Sequence, residues 1–268
     1  MAQIEVNGTQ LHVTDTGGPG AAIVFSHGLL LDGTMFGAQV AALRGRYRCV
    51  TYDHRGQGKS AVTATGYDMD TLTLDAAALI RHLDLAPCHF VGLSMGGFVG
   101  MRLAARRPDL LRSLTLLNTS ADPEDPQKAP GYRMLNFVAR WVGLWAVIGR
   151  VMPLMFGQSY LTDVRRDADR RRWSGVITGN DRIGITRAVT GMIGRAGCAG
   201  ELAGIDMPVG IGVGAQDVAM PPARSERLHR AIRASELVIF EGVGHSCSIE
   251  APDQVTALIE RTLRRATP

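Results

Sequence analysis

Three side chains far apart in the chain have the types that acyl transfer needs. Ser94 stands in Gly92-Leu93-Ser94-Met95-Gly96, between the apolar run His89-Phe90-Val91 and a helix-like stretch that begins with two glycines. A serine hydroxyl is a poor nucleophile at neutral pH. It needs a base to take its proton and an acid to orient that base. Asp217 follows VGIGVGAQ and His245 follows LVIFEGVG, so both stand just past strand-like runs, in the chain order Ser, Asp, His. The pentapeptide alone is a weak signal. A strand, a sharp turn and a helix around it, with two further reactive groups at later strand ends, make the combination specific.

The glycines suit this chemistry. A serine held on a turn between strand and helix has a strained backbone, and side chains two residues either side would collide. The helix that follows points its N-terminus at the site, where partial positive charge favours an oxyanion. Two backbone N–H donors are expected for that oxyanion: Met95, directly after the serine, and Leu29, in the loop that ends AAIVFSHG. The His27 side chain is read as part of a structural turn. Other histidines fit the base role less well, because His82 and His229 lie within helical stretches, His89 begins a strand, and His54 precedes the serine. Asp122 is the substitute acid. Asp217 could instead cap the next helix.

The elements that must position these groups follow from hydrophobic period. IEVNG and TQLHVTDTG read as a hairpin turning at Asn7-Gly8. Apolar runs ending at glycines (AAIVFSHG, YRCVTYDHRGQG, HFVGLS) alternate with helical patterns at 39–43, 71–84 and after Gly96, and LRSLTLLNTS gives another strand. Such alternation implies a parallel sheet with helices on both faces. It stops after residue 120. Residues 121–198 carry DPEDPQKAP and then helical patterning without strands, in which Met134, Phe137, Val138, Trp141, Trp145 and Ile148 form an apolar stripe. Strand and helix resume at MPVGIGVGAQD and close with a helix from Pro252 to Arg265. The expectation is a core of residues 1–120 and 199–268 with a helical lid at 121–198.

Composition narrows the class. The chain has 268 residues, is 46% hydrophobic and 20% charged, and carries a net charge of +4, values suited to a globular enzyme. Its basic residues fall in scattered clusters without interleaved aromatics, so no nucleic-acid partner is expected. The four cysteines lack C-x-x-C spacing, which suggests neither a zinc site nor a disulfide framework. The N-terminal stretch lacks the pattern of a secretory signal, and the apolar region at 134–157 is cut by Arg140, Arg150 and Pro153. A cytoplasmic enzyme without metal or cofactor is expected, with a small ester or lactone as partner. A membrane-surface role for the stripe is not expected, because its polar face shows too small a lysine and arginine excess.

FSHGL at 25–29, YDHRGQGKS at 52–60, VGLSMGG at 91–97, GAQD at 214–217 and GVGHSCSIE at 242–250 together resemble the α/β-hydrolase superfamily. VGLSMGG, the LNTSA strand end and DVAMPPA at 217–223 are similar to bacterial 3-oxoadipate enol-lactonases and related small carboxylesterases. The resemblance implies a mostly parallel twisted sheet flanked by helices, an inserted helical lid, and substrate bound between lid and sheet. It implies a Ser94, His245, Asp217 triad. Serine at position 94, where haloalkane dehalogenases and epoxide hydrolases carry aspartate, disfavours those activities. Perhydrolysis, C–C bond hydrolysis and a non-catalytic binding role remain alternatives. Phe137, Trp141 and Trp145 are candidate walls for an acyl chain or ring, or else they pack the insertion onto the core. An anionic lactone would need a cation near the pocket, with Arg133 and Arg140 as candidates.

Overall fold

A computed structural model of the protein describes residues 1–266. Strands β1 (Ala2–Val6) and β2 (Thr9–Asp15) form the expected hairpin, with Asn7 and Gly8 both at positive φ, the backbone a two-residue turn needs. Then come β3 (Ala22–Ser26), α1 (Gly37–Leu43), β4 (Arg48–Tyr52), α2 (Met69–His82), β5 (Cys88–Leu93), α3 (Met95–Arg106) and β6 (Leu111–Leu117). Helices alone follow: α4 (Ala129–Trp141), α5 (Ile148–Met155), α6 (Gln158–Thr162), α7 (Asp167–Thr178) and α8 (Arg182–Ile193). The alternation resumes with β7 (Val209–Gly214), α9 (Pro222–Ala231), β8 (Ser235–Phe240), α10 (Cys247–Glu250) and α11 (Pro252–Arg265).

The eight strands form one sheet in the order β1-β2-β4-β3-β5-β6-β7-β8. β1, β2 and β4 pair antiparallel, and every pair from β4 through β8 is parallel. Strand period two sends Val24, Phe90, Leu114 and Ile211 to one face and Ile23, Phe25, Val91 and Phe240 to the other. The first face is covered by α2, α3 and α9, the second by α1 and α11. Helix α11 shows why its sequence closes the fold: Val255, Leu258, Ile259 and Leu263 are fully buried at helical spacing.

The chain runs outward from β3 to β4, then crosses back over β3 to β5. That reversal leaves a crevice beyond the carboxyl ends of β3 and β5, where open α/β sheets bind ligands. The loop holding Leu29 and the turn holding Ser94 both open into it.

Candidate active site

Ser94 sits between β5 and α3 with φ 51° and ψ −110°, a strained backbone for a residue with a side chain. Its surroundings hold it there. The Ser94 N–H donates to the Leu117 carbonyl (2.8 Å), and its own carbonyl accepts from Thr119 Oγ1 (2.8 Å) and the Phe98 N–H (3.0 Å). Glycine is required on both sides. A Cβ on Gly92 would lie 2.3 Å from the Gly96 carbonyl oxygen, and one on Gly96 would lie 2.0 Å from the Ser26 carbonyl oxygen. Met95 is the first residue of α3, so its N–H belongs to the group that a helix cannot satisfy internally.

Asp217 and His245 lie on the loops after β7 and β8. His245 Nδ1–H donates to Asp217 Oδ2 (2.8 Å), which also accepts from Asn118 Nδ2 (2.7 Å). Asp217 Oδ1 accepts the N–H groups of Ala219 (2.9 Å) and Met220 (2.8 Å). All four partners are donors, so the carboxylate serves as acceptor only. It does not cap α9, which begins at Pro222 with no side-chain cap. Asp122, the substitute acid, is instead paired with Arg227 of α9 (2.5 Å).

With Nδ1 taken by Asp217, Nε2 is the ring nitrogen of His245 left for other chemistry. Burial pulls the imidazolium down, but the charge and hydrogen bond of Asp217, with the charge of Glu250, outweigh burial and raise its pKa. Lys128 opposes them. Ser94 and His245 line one cavity. Among the described residues the hydrogen-bonded pair is His245 with Asp217, and Ser94 joins them through that shared wall.

Several residues that the sequence does not single out complete the site. Asn118, at φ 48° past the end of β6, bridges Asp217 to the Gly244 carbonyl (3.0 Å), tying the two loops together. Glu250 is buried and accepts N–H groups from Gly244 (2.9 Å), Ser246 (3.1 Å) and Gly157 (3.0 Å). One carboxylate thus clamps both neighbours of His245 to the entry of α6. The only advance signal was its place in the GVGHSCSIE motif.

The His27 side chain does more than fill a turn. Its Nε2 accepts the His54 N–H (2.8 Å) and its Nδ1–H donates to the Gly28 carbonyl (2.7 Å). A peptide plane is rigid, so fixing the Gly28 carbonyl also fixes the N–H of Leu29 on its far side. The next amide, Leu30 N–H, donates to Gln57 Oε1 (2.9 Å). A Cβ on Gly28 would be 3.1 Å from Leu93 Cδ2 and 3.5 Å from Ser94 Cβ, so this loop packs directly on the serine turn.

The cavity wall is mostly aliphatic: Leu135, Ala139, Leu144, Val151, Met155 and Ile185 from the helical insertion face Leu29, Phe98, Ser94 and His245. The expectation for Phe137, Trp141 and Trp145 is corrected here. They are 62%, 69% and 69% exposed and do not line this cavity, because Leu135 and Ala139 present the opposite face of α4 to it. The stripe also does not continue along one helix. Gly143, at φ 134°, ends the path after α4, and Trp145 lies on a separate turn before α5.

Known proteins similar to this chain share that architecture. The family model described as alpha/beta hydrolase fold matches residues 21–252. The chain belongs to the α/β-hydrolase family. It is 26% identical to 3-oxoadipate enol-lactonase 2 of Acinetobacter baylyi over 91% of this chain and 89% of the relative. The solved enol-lactonase of Burkholderia xenovorans LB400 superposes with a TM-score of 0.91 at 31% identity, covering 98% of this chain and 100% of that one. A thermophilic esterase from Thermogutta terrifontis gives 0.90 at 29% identity, with 99% and 97% covered. Membership of this family supports hydrolytic activity. Among its described residues no helix is long and apolar enough to cross a membrane.

Proposed function

We propose that this α/β hydrolase cleaves carboxylic esters with uncharged, apolar acyl groups through an acyl-enzyme on Ser94. The observation that carries the reading is the meeting of Ser94 and the Asp217-bound His245 on one aliphatic cavity. His245 Nε2 takes the Ser94 proton as Oγ bonds to the substrate carbonyl carbon. Asp217 stabilises the imidazolium that forms. The N–H groups of Leu29 and Met95 hold the oxyanion, and one such donor is worth about 3 kcal/mol in the transition state. Collapse expels the alcohol with the proton from His245. Water then attacks the acyl group, His245 accepts its proton, and the carboxylic acid leaves as Ser94 regains its hydrogen. Ester and water balance every step. The helices of residues 121–198 act as the lid that walls the acyl site.

The cavity argues against an anionic lactone as the preferred substrate. Among the described residues no lysine or arginine lines it, and its charged side chain is Glu124, already paired with Arg195 (2.8 Å). Arg133 and Arg140 face a separate outer depression beside Phe137 and Trp141. A substrate carboxylate would be desolvated against aliphatic walls without a cation, which costs several kcal/mol. The test compares wild type with Ser94→Ala on a series of neutral p-nitrophenyl esters and on a carboxylate-bearing enol-lactone. Ser94→Ala is expected to lower kcat by roughly 10⁵- to 10⁶-fold with an unchanged melting transition. Neutral esters are expected to show the higher kcat/KM in the wild type. Turnover retained in the variant would sink the nucleophile assignment, and a preference for the charged lactone would sink the substrate class.

A further inference from the structure

The residues that do not line the cavity raise their own question. Met134, Phe137 and Trp141 recur at helical spacing along the outer face of α4, and Val142 and Trp145, which follow in sequence, are exposed as well. All five are more than half exposed. Phe137 and Trp141 pack against each other with ring centroids 6.5 Å apart, and the Arg140 guanidinium lies 5.9 Å from the Trp141 ring. Contiguous exposed aromatic surface of this kind is unusual on a protein that meets only water.

Charge identifies the occupant. Between residues 126 and 162 the chain holds Lys128, Arg133, Arg140 and Arg150 and not one aspartate or glutamate. Arg133, Arg140 and Arg187 border the depression beside Phe137 and Trp141, and among the described residues no acidic one lines it. A twofold contact between copies would place these cations against their own equivalents, which disfavours self-association. Tryptophan, phenylalanine and arginine on one surface match instead the boundary of an anionic bilayer, where rings sit at headgroup depth and cations meet phosphates.

We propose that the outer face of α4 and the turn after it dock the enzyme on an anionic lipid surface. The sequence expectation of too small a basic excess concerned one helix. Folding adds Arg187 from α8 to the same depression. The inner face of α4 contributes Leu135 and Ala139 to the cavity, so one helix separates the docked surface from the acyl site.

The experiment is co-sedimentation of the full chain with vesicles of phosphatidylcholine, with and without phosphatidylglycerol. Binding is read directly, so the result does not depend on whether Ser94 is the nucleophile. The wild type is expected to partition onto anionic vesicles and to release as salt shortens the Debye length from about 10 Å at 0.1 M to about 3 Å at 1 M. Arg133→Gln with Arg140→Gln should lower partition by roughly tenfold or more. Phe137→Ser with Trp141→Ser and Trp145→Ser should abolish it while leaving the melting transition and short-ester turnover intact. Equal binding to neutral vesicles, no binding to anionic ones, or unchanged binding by the aromatic variant would overturn the proposal. So would a wild-type dimer, seen by light scattering without lipid, that the aromatic variant converts to monomer.

Discussion

The carboxyl edge of the sheet and the helical insertion are built by opposite rules. At the edge, backbone atoms leave no latitude: Gly96 cannot carry a Cβ beside the Ser26 carbonyl, and every oxygen lone-pair direction of Asp217 used in the structure meets a donor. In the insertion, Gly131, Gly149 and Gly175 have nothing within 4 Å of where a Cβ would stand, and large apolar side chains point outward. The difference teaches where precision is needed. Chemistry demands fixed atoms at the edge, whereas the insertion has to supply an aliphatic wall on one side and is free to vary on the other.

Substitutions at paired positions can break this contrast. The largest effect is expected for Gly96→Ala, where the new methyl would overlap backbone that cannot move without shifting β3. A loss of more than about 4 kcal/mol, or failure to fold, is expected by chemical denaturation. Tolerance of that methyl would show the serine turn to be more pliable than its contacts imply.

Next comes Glu124→Ala. It leaves the Arg195 guanidinium buried without its carboxylate, 4.3 Å from the Phe98 ring, at an expected cost of about 3–5 kcal/mol in unfolding free energy. A cost near zero would mean that water reaches Arg195 through the cavity.

A smaller effect tests the clamp on His245. In the proposed mechanism His245 is the base and must be neutral, so kcat/KM should rise with pH through a midpoint above 6.5, since the folded-state pKa of His245 is raised. By the same sign, the protonated ring stabilises the fold fully below the unfolded value, and that contribution is lost as pH rises through the raised one. Glu250→Gln keeps the shape and one acceptor oxygen but removes a charge that favours the imidazolium. Its midpoint should therefore move to lower pH, whereas a purely structural loss would lower activity without moving the midpoint. The smallest effect is expected for Gly149→Ala in α5, a stabilisation of up to about 1 kcal/mol from the gain in helix propensity and the reduced freedom of the unfolded chain. Destabilisation there would mark a contact the open surroundings do not show.

The edge was readable in advance because its constraints are local. Gly92, Ser94 and Gly96 are neighbours in sequence, and the strand ends before Asp217 and His245 follow from apolar runs of strand length. Glu250 and Asn118 were harder to see. Their roles come from bonds to residues distant in sequence, including Gly157 and Asp217, and the signal in the sequence was only their place in the GVGHSCSIE and LNTSA motifs. The direction of the 134–148 stripe was not readable at all. A helical period says which residues share a face and nothing about which neighbour that face meets.

The amino-acid order by itself determined the alternation of strands and helices, the interruption after residue 120 and the reactive types at three strand ends, because hydrophobic period and glycine placement act over a few residues. Tertiary structure alone decided that Leu135 and Ala139 face the cavity while Phe137, Trp141 and Trp145 face outward. That choice depends on how α4 is rotated against α8, a balance of packing between segments that no short window of sequence contains.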